Sequence, residues 1–80
     1  IFNGVIVEKG ASVKNSVIMD NTVIKSGSHV EYSIIDRNTL ISKNCIIGDS
    51  TESGNGICFI GSGNVISSGE RIEGGKRVSL

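Results

Sequence analysis

Residues 7–23 (VEKGASVKNSVIMDNTV) lie over residues 24–40 (IKSGSHVEYSIIDRNTL) without a gap, and six of the 17 columns are identical. The identities are Gly10/Gly27, Val13/Val30, Ser16/Ser33, Ile18/Ile35, Asn21/Asn38 and Thr22/Thr39. A gapless period of this length means that one supersecondary unit is repeated, so the chain must stack copies of it rather than wrap a single core. Aliphatic residues recur within the period at 7, 13, 18, 24, 30, 35, 41 and 47, in steps of six, five and six. Small residues follow them at fixed offsets: Ala11, Thr22, Ser28, Thr39 and Cys45, with Ser16 and Ser33 where the step is five. Each short segment therefore offers one large and one small side chain to a confined interior. Helices are a poor fit, because 13 Ile and 8 Val stand against 2 Leu and 1 Ala, a balance that favours strands.

The register extends both ways. Ile1 sits 17 residues before Ile18, and IGSGNV, ISSGER, IEGGKR and Val78 step evenly by six through 60–78. Gly63, Gly69 and Gly75 recur at one turn position, where the backbone is expected to need a positive φ. Residues 48–59 (GDSTESGNGICF) break the period. We expect a loop there that leaves and rejoins the coil, with Ile57 and Phe59 returning to the core or covering it. The aliphatic-x-x-x-small-x pattern resembles the hexapeptide repeat of left-handed parallel β-helices. The expected fold is therefore all-β: one domain over 1–80, of about four coils with 17–18 residues each. The left hand comes from that resemblance alone, since parallel crossovers are normally right-handed.

Strand alternation sends the neighbours of each inward residue outward. The residues just before the inward positions are unexpectedly apolar: Ile6, Val23 and Leu40 on one face, Val17 and Ile34 on a second. Only the third face carries polar Ser12 and His29 before Ile46. β-Branched residues favour strands on either side of a sheet. Two stacked apolar ladders also suit packing against another domain or subunit, so Ile6, Val17, Val23, Ile34 and Leu40 are the candidate interface residues.

Chemistry is sparse. Eight basic and eight acidic residues cancel, which gives nucleic acid or an anionic membrane no electrostatic hold. The longest apolar runs are of about three residues, such as Val5-Ile6-Val7, too short for a membrane span or a signal-peptide core, and a cytoplasmic location is expected. Cys45 and Cys58 form no CxxC and suit small buried positions. A lone His29 offers no metal set and no base with an orienting partner at a readable spacing. Gly61-x-Gly63 and Gly74-Gly75 lack the Gly-Lys-Ser/Thr signature of a phosphate loop. Arg71, Lys76 and Arg77 read as a solvated last coil. No catalytic, cofactor-binding or metal residue is expected in this chain.

The stretch KGASVKNSVIMDNTVIKSGSHVEYSIIDRNTLI (9–41), above all VKNSVIM (13–19) and YSIIDRN (32–38), resembles the C-terminal β-helix of bacterial glucose-1-phosphate adenylyltransferases. IGSGNVISSGERIEGG (60–75) is similar to the ends of the shorter subunits of that family. Lys25 and Ser42 depart from it, standing where such repeats often have Gly. The resemblance implies a parent with an N-terminal nucleotidyltransferase domain that joins ATP and glucose 1-phosphate into ADP-glucose and pyrophosphate, assisted by Mg²⁺, in glycogen synthesis. It further implies that the β-helix holds homo- or hetero-oligomers together, a tetramer in that family, and abuts its own catalytic domain. Some members pair a catalytic subunit with a regulatory one, and the regulatory type is the expectation here. Because Ile1 is already in register as an inward residue, a further coil or domain is expected before it. The alternatives are a hexapeptide-repeat acyltransferase, in which His29 would face a neighbouring chain's cleft, and the scaffold of another sugar-nucleotide pyrophosphorylase.

Overall fold

The computed structural model describes residues 3–48 and 56–79. Within them, strands alternate with tight corners and there is no helix. In chain order the strands are β1 (Ile6–Val7), β2 (Ser12–Lys14), β3 (Val17–Ile18), β4 (Val23–Ile24), β5 (His29–Glu31), β6 (Ser33–Ile35), β7 (Leu40–Ile41), β8 (Ile46–Ile47), β9 (Cys58–Ile60), β10 (Val65–Ile66), β11 (Arg71–Ile72) and β12 (Arg77–Val78). Every third strand pairs, which yields three four-stranded sheets: β1-β4-β7-β10, β2-β5-β8-β11 and β3-β6-β9-β12. All pairings are parallel. The chain thus winds four times around one axis, laying one strand on each wall of a prism per coil.

Corners keep the strands to two or three residues, and each corner needs a backbone turn with φ above zero. Gly10, Gly27, Gly63, Gly69 and Gly75 supply it, as do Asn15, Asn21, Asn38 and Asn44 with φ between 50° and 60°. Asparagine tolerates this conformation better than other residues with a side chain. Tyr32, at φ 46°, is the exception; it sits on one of the five-residue steps, where the corner is shortest.

The inward residues stack coil on coil. Ile24 pairs with Ile41, which pairs with Ile66; Val30 meets Ile47, which meets Ile72; Ile18 meets Ile35, which meets Ile60. From Ile18 through Ile60 these residues have no exposed surface. Val7 points inward in the first coil, beneath Ile24 of the next, and is 38% exposed.

The small corner residues are buried too, and a buried hydroxyl must be bonded. Thr22 Oγ1 donates to the Asp36 carbonyl at 3.0 Å and Thr39 Oγ1 to the Gly61 carbonyl at 3.2 Å. Ser28 Oγ donates to the Ser42 carbonyl at 2.6 Å and Cys45 Sγ to the Ser67 carbonyl at 3.1 Å. Two of the three corner columns, Thr22/Thr39 and Ser28/Cys45, are thereby bonded to the coil above, whereas at the third Ser33 Oγ donates to the Glu31 carbonyl of its own coil at 2.7 Å. Both cysteines are free and buried.

The period break ends earlier than its sequence suggested. Residues 49–55 lie outside the described residues, but Cys58–Ile60 is already strand, in register with Ser33–Ile35. Strand alternation puts Cys58 and Ile60 inside and turns Phe59 outward onto Ile34. Ile57, expected to return to the core or to cover it, is 53% exposed.

Candidate interaction faces

Parallel pairing aligns the outward residues into columns one residue wide. The first sheet carries Ile6, Val23, Leu40 and Val65 in unbroken register. Its end members are the most open, Ile6 at 54% and Val65 at 65% exposed, while Val23 and Leu40 are half-buried between their neighbours. No charged residue interrupts this column in any of the four coils.

The third sheet begins in the same way, with Val17, Ile34 and Phe59. It ends differently, because Arg77 pairs with Phe59 and sets its guanidinium 5.0 Å from the ring centroid. A cation over an aromatic face is attracted by the ring quadrupole, so the protein's own charge covers the aromatic end of this column. The second sheet is mixed: Ser12, His29, Ile46 and Arg71. All five interface candidates thus lie on outer columns, Ile6, Val23 and Leu40 together on one wall, Val17 and Ile34 together on another. Val65 and Phe59 extend those columns. Sequence reasoning left them out because Phe59 lies inside the break at 48–59 and Val65 beyond it, where the count of 17 no longer applies.

Among the described residues there is no pocket and no group of three or more His, Cys, Asp or Glu side chains able to hold a metal. His29 is exposed on the second wall, between Ser12 and Ile46. Gly63 and Gly75 are corner residues with φ of 74° and 80°, and they open strands rather than helices. Arg71, Lys76 and Arg77 are exposed in the last coil. Burial pushes the Cys58 thiol up from the ordinary cysteine range, partly opposed by a hydrogen bond with Ser33, so this thiol is poorly suited to nucleophilic work. No helix among the described residues is long and apolar enough to cross a membrane.

The fold defines a class: an all-β prism of short repeats with three stacked parallel sheets, the pattern of a hexapeptide-repeat β-helix. Residues 1–67 match the family described as GlmU-like, C-terminal hexapeptide. The chain belongs to that family, and with it the prism is a left-handed parallel β-helix. No curated protein and no solved structure matched the chain. A domain of this family fits the scaffold of a sugar-nucleotide transferase or an acyltransferase.

Proposed function

We propose that the chain is the assembly and regulatory β-helix of a glucose-1-phosphate adenylyltransferase subunit, one that joins subunits through its apolar outer walls. The observation that carries this reading is the column Ile6-Val23-Leu40-Val65, apolar in all four coils. A stacked apolar wall on a protein with zero net charge suits a protein partner better than a polyanion. The resemblance of residues 9–41 and 60–75 supports the sugar-nucleotide assignment. In this reading ATP and Mg²⁺ belong to a separate catalytic domain, and the β-helix touches neither. The regulatory type of subunit, in a homo- or hetero-tetramer in the cytoplasm, completes the proposal.

The test is pyrophosphate release by the longer protein that carries this chain, alone and mixed with its neighbouring-gene homologue, given ATP, Mg²⁺ and glucose 1-phosphate. The regulatory reading expects silence alone and stimulation of the homologue. Release by the protein alone would mark a catalytic subunit instead. Silence in both settings would overturn the assignment and favour the acyltransferase, for which exposed His29 is the supporting observation.

A further inference from the structure

We infer that the first wall pairs with the same wall of a second copy of this chain, the two prisms lying side by side and pointing the same way. This rests on reading the apolar walls as assembly surfaces and narrows it to one wall, one partner and one orientation.

The choice of wall follows from its column. Ile6, Val23, Leu40 and Val65 form an apolar strip without a charge, whereas Arg77 lies over Phe59 on the third wall and the second mixes Ser12, His29 and Arg71 with Ile46. The choice of partner and orientation follows from the corners that flank the strip. The corner entering this wall carries Asp20, Asp36 and Arg37, and the side leaving it carries Glu8, Lys9, Lys25, Lys43 and Glu70. Two carboxylates against one guanidinium leave the entering edge at −1, and three ammonium groups against two carboxylates leave the other at +1. The Glu8 carboxylate accepts the Ser26 amide at 2.9 Å and Asp36 Oδ1 accepts the Arg37 amide at 2.7 Å. Both carboxylates are thus held at their own corners.

Two symmetric face-to-face pairings exist. A two-fold axis along the stacking direction keeps each coil at the level of its copy, so acidic edge meets basic edge on both flanks and Val65 faces Val65. A two-fold axis along the strands inverts one prism, setting like edges together and Val65 against Ile6. Like charges set face to face disfavour the second pairing. Four coils about 4.8 Å apart make the wall ~19 Å tall, so one wall offers on the order of 400 Å², half the ~800 Å² per partner of a standard interface. The pair is accordingly weak in the chain alone and forms at high concentration.

Sedimentation equilibrium of the 80-residue chain from micromolar to millimolar concentration reads the pairing, and cysteine cross-linking reads its orientation. A concentration-dependent dimer is expected, weakened by added salt. Lys25→Glu or Asp20→Lys alone should weaken it about tenfold, and the double exchange should restore it. Val65→Cys, at an exposed position, should cross-link to itself on oxidation. A chain that stays monomeric at millimolar concentration overturns the inference, as does a trimer, or a Val65→Cys chain that cross-links to Ile6→Cys but not to itself. If Val23→Glu disrupts assembly of the longer protein while the chain never dimerises, the self-pairing fails alone and the broader reading stands.

Discussion

Ser28 ties two successive corners together through one oxygen: its Oγ accepts the Cys45 amide at 3.0 Å and donates to the Ser42 carbonyl at 2.6 Å. Both partners lie in the coil above, and Ser28 and Cys45 have no exposed surface. The bond is therefore a rivet between coils, in a column too narrow for a larger side chain.

Ser28→Ala should cost about 1–3 kcal/mol, because it leaves the buried Cys45 amide without a partner. Urea unfolding followed by circular dichroism checks the value. An unchanged midpoint would mean that water or a shifted neighbour replaces the hydroxyl.

The inward aliphatics are continuous through the stack, so damage to one should be felt by the whole prism. Ile41→Ala should lose about 2–5 kcal/mol, and Ile18→Asp should unfold the chain by burying an unpaired charge. Thermal melts separate the two, with a lowered but cooperative transition for the first and none for the second.

Corner geometry gives opposite expectations for two positions. Gly48 has φ 75°, and a Cβ there would collide with the Glu31 carbonyl oxygen, so Gly48→Ala should destabilise markedly. Asn38 has φ 57°, so Asn38→Gly should be tolerated while Asn38→Ala loses about 1–2 kcal/mol. Parallel denaturant curves for the three variants make the comparison.

Cys58 sets a pH dependence. Its thiol is pushed up by burial, so the unfolded chain loses this proton first as pH rises. The contribution is present in full below the ordinary thiol range and is lost as pH climbs through and above about 8.5. Stability measured between neutral and alkaline pH should fall over that window in the wild type and more shallowly in Cys58→Ser. Equal slopes would contradict the assignment.

Much of this architecture was legible in the repeat itself. The 17-residue period predicts the pairings Val7 with Ile24, Val13 with Val30 and Ile18 with Ile35, and the structure has each of them. The small column was readable because Ser, Thr, Ala and Cys recur beside the stacked aliphatics in the first three coils, and Gly63, Gly69 and Gly75 marked the corners where φ is 74–80°. The return after the break was not legible. Ile57-Cys58-Phe59-Ile60 offers apolar residues in both alternation phases, and hydrophobicity favours Ile57 and Phe59. The confined interior instead takes Cys58 as its small residue opposite Ser33. The outer columns were visible as far as Leu40, and their fourth level appeared only once the register beyond the break was known.

The central claim is that the outer walls, not any reaction centre, are what this β-helix contributes, and static light scattering of the longer protein tests it most directly. Val23→Glu and Ile34→Glu change half-buried outward residues on two walls and should leave the circular dichroism of the coil intact. The account predicts a fall in mass of the assembly for at least one of them. An assembly of unchanged mass for both, with the coil still folded, would contradict it.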